Sequence, residues 1–173
     1  MRHLAFSDSM LYNQPMIKQI HIFDLDGTLV DSSHRYRTMW NGSKLTIDFP
    51  HWLENENLYH LDTTLPLVEQ YRELNKNPDV YTIWITARNL RHFEESKLHL
   101  FSILGRPNKW FCRPNGNMES GAVLKTRQLG SFLNLRQFAK ADKWFYEDNK
   151  SYLDTVCSAL GINPVFIPSV QGH

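Results

Sequence analysis

Short runs of β-branched and aromatic residues alternate along this chain with stretches of helical period, and that alternation constrains the fold more than any other feature. Residues 20–23 (Ile-His-Ile-Phe) and 80–85 (Val-Tyr-Thr-Ile-Trp-Ile) read as buried strands, and residues 109–112, 144–146 and 165–167 as three shorter ones. Between them, Leu65, Val68, Tyr71 and Leu74 recur at helical spacing, as do Leu90, Phe93, Lys97, Leu100 and Leu104 before Gly105. Two further helices are predicted over 123–132 and 152–160, the latter stopped by Gly161. Strands separated by helices of this length predict right-handed βαβ crossovers and a mostly parallel, five-stranded sheet with helices on both faces, a three-layer Rossmann-like α/β core. A chain of 173 residues supports one such core, so residues 16–173 are read as a single domain.

In sheets of this kind ligands collect at the carboxyl ends of the strands, and two of those ends are acidic. Asp24 and Asp26 follow the first strand two positions apart, so an extended backbone points both carboxylates the same way. Like charges that close repel unless a cation or a shared proton relieves them. Glu147-Asp148 repeats the pattern after residues 144–146. An isolated Asp-x-Asp-Gly can also be a turn that uses Asp and Gly only for their backbone preferences.

Asp24-Leu25-Asp26-Gly27-Thr28 resembles the first motif, D-x-D-G-T, of the haloacid dehalogenase (HAD)-like phosphohydrolase superfamily, and candidates for its other three motifs follow in order. The resemblance implies that Asp24 is a nucleophile that takes a phosphoryl group as an aspartyl-phosphate, and that Asp26 protonates the leaving alcohol and then deprotonates water. It implies that Thr86 hydrogen-bonds a phosphoryl oxygen, although a Thr or Asn after a strand can equally be a helix N-cap. Lys125 becomes the cation that neutralises nucleophile and phosphate, with Lys140 and Lys143 as competitors. Asp24, Asp26 through its backbone carbonyl, and Asp148 would hold a metal, with Glu147 a weaker ligand. An all-oxygen set suits Mg²⁺. Zinc is disfavoured, because none of the eight His residues forms a tight His/Cys cluster. Gly27 and Thr28 would line the phosphate site, and Arg88 could clamp a substrate phosphate or be a solvated loop charge.

Residues 31–63 interrupt the alternation and leave directly from the acidic strand end, so they are expected to form a small cap or lid over the pocket. Tyr36, Trp40 and Trp52 could stack a base there while His34, Arg35 or Arg37 meets a second phosphate; alternatively these aromatics are the lid's own small core. The arrangement is similar to small phage-type phosphatases such as the 3′-phosphatase domain of polynucleotide kinase/phosphatase. No G-x-x-x-x-G-K-[ST] pattern is present, so no kinase half is expected. Residues 1–15 have no clear periodicity and are expected to be a dispensable N-terminal extension.

The formal charge of +1, from 19 Lys+Arg against 18 Asp+Glu, supplies no overall field for nucleic acid or anionic lipid. Cys112 and Cys157 form no C-x-x-C pair and no run of about 18 apolar residues occurs, which suits a cytoplasmic protein without a membrane span. The sequence therefore favours a phosphomonoesterase for a nucleotide or a nucleic-acid end. A phosphatase for a sugar phosphate or other metabolite is the alternative, and a catalytically silent binding module a second. Exact substrate and oligomeric state stay open.

Overall fold

The computed structural model describes residues 16–171; the expected extension over 1–15 lies outside the described residues. Five strands, β1 (Gln19–Phe23), β6 (Val80–Asn89), β7 (Lys109–Arg113), β8 (Asp142–Glu147) and β9 (Asn163–Phe166), form one sheet in the order β7-β6-β1-β8-β9. Every pairing in it is parallel. β1 is central, with Phe23 level with Trp84 on one side and Tyr146 on the other. Its apolar residues therefore serve two cores. Ile20 and Ile22 pack with Ile83, Ile85 and Phe145 beneath α4 (Gly121–Leu133) and α5 (Lys150–Leu160), which contribute Leu129, Leu133, Leu153 and Val156. Phe23 packs with Trp84 and Tyr146 beneath α2 (Leu67–Lys76) and α3 (Leu90–Leu104), through Val68, Tyr71, Phe93 and Leu100. Burial on both faces explains why these strands read as continuous apolar runs rather than as polar-apolar alternation.

Helix starts follow local chemistry. Asn89, Ser120 and Asn149 accept the backbone N–H of His92, Val123 and Tyr152, capping α3, α4 and α5. Gly161, in the left-handed region at φ +64°, ends α5. β6 runs four residues past the expected strand end at Ile85, because its register against β7 shifts between Ile85 and Asn89. The polar Thr-Ala-Arg stretch reads as loop in sequence, yet this irregularity keeps it in the strand while Thr86 and Arg88 turn inward, 1% and 3% exposed.

The expected cap is bounded by a two-stranded antiparallel ribbon, β2 (Val30–Asp31) with β5 (Thr63–Thr64). Between them lie a 3₁₀ turn over Ser33–Arg35, a hairpin of β3 (Thr38–Trp40) and β4 (Leu45–Ile47), α1 (Phe49–Glu54) and a second 3₁₀ segment over Glu56–Leu61. Buried charge ties the cap to the core. Arg35 is fully buried; its Nε and Nη2 donate to Asp62 Oδ1 and Oδ2 at 2.9 and 2.6 Å, and its guanidinium lies 4.4 Å from the Trp52 ring centroid. Arg88 Nη2 donates to Asp62 Oδ2 at 2.9 Å, so one carboxylate from the cap's end holds one guanidinium from the cap and one from β6.

Removing one partner from a buried ion network leaves its charges unpaired, at a cost of about 3–5 kcal/mol. Asp62→Ala should lower the unfolding free energy by about that much in urea titration. A loss below about 1 kcal/mol would mean that the two guanidinium groups are relieved elsewhere.

Candidate active site

β1 keeps its pairing one residue beyond Phe23, because Asp24 N–H donates to the Tyr146 carbonyl at 3.0 Å. The chain then turns sharply. Leu25 C=O accepts from the N–H groups of Thr28, Leu29 and Val30, while Gly27 N–H donates to Val30 C=O at 2.8 Å. Gly27 sits at φ +81°, and a Cβ there would stand 2.1 Å from Asp148 Oδ2. Only glycine fits, on both backbone and space grounds. The turn thus brings Asp148 against the D-x-D-G loop although 122 positions separate Asp26 from Asp148.

Asp24, Glu147 and Asp148 are all buried, and each offers an oxygen within 4.8 Å of the others. Lys125, on the first turns of α4 and 1% exposed, donates through Nζ to Asp24 Oδ1 and Glu147 Oε2, both at 2.6 Å. Burial opposes the Lys125 ammonium, but Asp24 and Glu147 outweigh it and hold its pKa above the ordinary lysine range. One ammonium does not balance three carboxylates. Burial and the neighbouring Glu147 raise Asp24, burial raises Glu147, and burial with the nearby Asp24 pushes Asp148 up to about 7. Asp148 Oδ2 is buried with no hydrogen-bond partner among the described residues. A surplus of buried carboxylate and an orphaned oxygen fit a hard divalent cation.

Asp26 lies in a different environment. Burial alone would raise it, but Arg88 Nε and Nη2 donate to its Oδ2 and Oδ1 at 2.8 and 2.6 Å, and Ser32 Oγ donates to Oδ1 at 2.7 Å. With Arg35 also near, at 3.8 Å, these groups hold Asp26 well below the usual carboxylate range. Two carboxylates two residues apart therefore have opposite electrostatics: Asp24 faces other acids, and Asp26 faces two guanidiniums.

The cavity at this centre is lined by Asp24, Asp26, Thr86, Arg88, Lys125, Glu147 and Asp148 from the core and by Tyr36, Ile47, Phe49, Trp52 and Glu56 from the cap. Thr86 Oγ1 accepts the Arg88 N–H at 3.1 Å, and the α3 N-cap is Asn89 rather than Thr86. Several expectations need correction. Arg88 lines the cavity, but its guanidinium is taken up by Asp26, Asp62 and Ser96 and is no free phosphate clamp. Asp26 is expected at the metal through its backbone carbonyl, and its carboxylate indeed lies outside the acidic cluster, with both oxygens taken by Arg88 and Ser32. Arg35 is likewise engaged by Asp62, and its Nη1 lies 3.1 Å from His92 Nε2. His34 Nε2 bonds the Leu58 carbonyl at 3.2 Å, and Trp40 is 63% exposed on the hairpin; neither lines the cavity. Gly27 and fully buried Thr28 line a neighbouring cavity beside residues 167–171. Asp62, Glu56, Arg113 and Gln171 carried no signal in sequence, since each acquires its place only through long-range packing.

A central parallel sheet with Asp24 after β1, Thr86 after β6, a buried Lys125 on α4 and an acidic pair after β8 has the architecture of HAD-like domains. More narrowly, the chain belongs to the bacteriophage T5 5′-deoxynucleotidase family, whose sequence profile matches residues 11–99. It is 26% identical over 171 aligned residues to the 5′-deoxynucleotidase of Escherichia phage T5, covering 84% of this chain and 66% of that protein. The fold is similar to one in the Pnkp1/Rnl/Hen1 RNA repair complex (TM-score 0.64, 14% identity, 95% of this chain and 48% of that one). It is also similar to the HAD domain of effector protein Lem4 from Legionella pneumophila (TM-score 0.56, 15% identity, 91% and 90%). The chain thus spans just under two thirds of the phage relative and about half of the RNA-repair chain. Among the described residues no helix is long and apolar enough to cross a membrane.

Lys125→Met keeps an unbranched side chain, one atom shorter, and removes its charge, leaving Asp24 and Glu147 facing each other. Thermal or urea unfolding should show a loss of about 3–5 kcal/mol without added metal. Unchanged stability would show that Lys125 does not neutralise the cluster.

Proposed function

We propose that this protein is a Mg²⁺-dependent phosphomonoesterase that works through an aspartyl-phosphate on Asp24 and acts on deoxynucleoside 5′-monophosphates. The observation that carries the reading is the make-up of one cavity, with an acid-and-lysine centre on its core side and Tyr36, Phe49 and Trp52 on its cap side. A phosphate ester needs the first wall, and a nucleobase gains from the second, where aromatic faces stack bases of any sequence. The relative's name, 5′-deoxynucleotidase, points to the same class.

The residues divide the work. Lys125 holds Asp24 Oδ1, leaving the other oxygen of Asp24 to attack phosphorus as the ester P–O bond breaks. The Thr86 hydroxyl, held at the edge of the cavity by the Arg88 N–H, would orient a phosphoryl oxygen. Water then attacks phosphorus, the Asp24–phosphate bond breaks, and Asp26 takes the water's proton. Its paired environment keeps Asp26 ionised and so able to accept that proton, while the same pairing with Arg88 weakens it as a base. To protonate the leaving oxygen in the first half, Asp26 must first gain a proton against the pull of Arg88. Mg²⁺, held by Asp24 and Asp148 with Glu147 beside them, would neutralise charge on the phosphoryl oxygens.

Phosphate release with Mg²⁺ should be abolished in Asp24→Asn and by EDTA. Across 5′-deoxynucleotides, 3′-phosphorylated oligonucleotides and sugar phosphates, kcat/KM should favour the first by about 10-fold or more. Equal or better turnover of sugar phosphates or oligonucleotide ends would overturn the substrate assignment, and activity retained in Asp24→Asn would overturn the mechanism.

A further inference from the structure

The segment after β9 returns across the catalytic loop. Ile167 N–H donates to the Glu147 carbonyl at 3.0 Å, and Ser169 Oγ sits 2.8 Å from where a Cβ on Gly27 would stand. Two residues on, Gln171 is 3% exposed and lines the same cavity as Asp24 and Asp26. Its side chain meets Ser32 twice: Ser32 N–H donates to Gln171 Oε1 at 3.2 Å, and Gln171 Nε2 donates to Ser32 Oγ at 2.9 Å. Ser32 is itself fully buried at the point where the cap leaves β2.

The direction of every bond in this chain is determined by its chemistry. A backbone N–H can only donate, so the amide oxygen of Gln171 must face Ser32 N and its NH₂ must face Ser32 Oγ. The Ser32 hydroxyl then accepts from Gln171 and has one proton to give. The remaining neighbour is Asp26 Oδ1 at 2.7 Å, and an ionised carboxylate only accepts. Gln171 thus fixes a hydroxyl that would otherwise be free to rotate, and that hydroxyl together with Arg88 fixes the Asp26 carboxylate. We infer that Gln171, acting through Ser32, is a positioning residue for Asp26 in the phosphatase reaction; the inference rests on the reading of Asp26 given above. A 3₁₀ turn at the cap's root and a strap 139 positions away are joined at the group that moves the proton.

The full chain is assayed for phosphate release from a deoxynucleoside 5′-monophosphate with Mg²⁺, comparing Gln171→Ala, Gln171→Glu, Ser32→Ala and the Ser32→Ala/Gln171→Ala double variant. Each alanine change should lower kcat about 10-fold with KM within about twofold, and the double variant should fall no further than Ser32→Ala alone, since the two act in series. Gln171→Glu supplies the sharper readout. It preserves length and packing but offers only acceptors, so it draws the Ser32 proton away from Asp26 and should fall below Gln171→Ala in kcat. A residue that merely docks the strap would give the reverse order, with the isosteric Glu better than Ala. That order, additive losses in the double variant, or wild-type kcat in the Gln171 variants would each overturn the inference. Should Ser32→Ala lose its native circular dichroism, the Glu-against-Ala order decides alone. An active wild type silenced by Asp24→Asn but indifferent to Gln171 sinks this inference only; an inactive wild type sinks the phosphatase reading and this with it.

Discussion

The ammonium of Lys125, buried between Asp24 and Glu147 at 2.6 Å from each, is the contact on which the rest of the site depends. Without it, three carboxylates at the ends of two central strands would face one another with no opposing charge between them. The fold is arranged to deliver it. α4 begins at a Ser120 cap, which sets the helix so that position 125 points into the sheet end rather than out to water. Gly27 then removes the one Cβ that would keep Asp148 away from the loop carrying Asp24.

Lys125 leaves the cluster short of positive charge. Asp24, Glu147 and Asp148 share a deficit that a divalent cation would fill, while Asp26, a few ångströms along the same turn, is saturated with donors from Arg88 and Ser32. The two aspartates of one motif thereby differ in surroundings, not in type, and a difference of that kind is how a pair of carboxylates can take up different acid-base duties. The groups that make this separation come from distant parts of the chain: Arg88 from the β6 irregularity, and Ser32 and Arg35 from the root of the cap. Cap and catalytic loop are therefore one electrostatic unit.

Much of this was legible in the sequence where one residue type at one strand end determines the outcome. The five strands and their parallel pairing follow from apolar runs and helical spacing, while Asp24, Thr86, Lys125 and Asp148, which line one cavity, are singled out by the family resemblance. Arg35, Arg88, His34 and Trp40 were harder. A sequence shows that a guanidinium exists but not that a buried carboxylate 27 positions away has already claimed it, as Asp62 claims Arg35. Trp40 and Trp52 read alike as stacking candidates; only the fold puts one on an exposed hairpin and the other against the cavity. Gln171 has no motif at all, because its role exists only once the strap has folded over Ser32.

A nucleophilic Asp24 requires a covalent phosphoryl group on that one carboxylate during turnover. Mixing the protein with substrate and Mg²⁺, quenching in acid within milliseconds and sequencing the peptides by mass spectrometry tests it directly. The expected result is the added mass of one phosphoryl group on Asp24 and none on Asp26. Phosphate release without a modified Asp24 at any quench time, or modification found on Asp26 or Asp148, would contradict it.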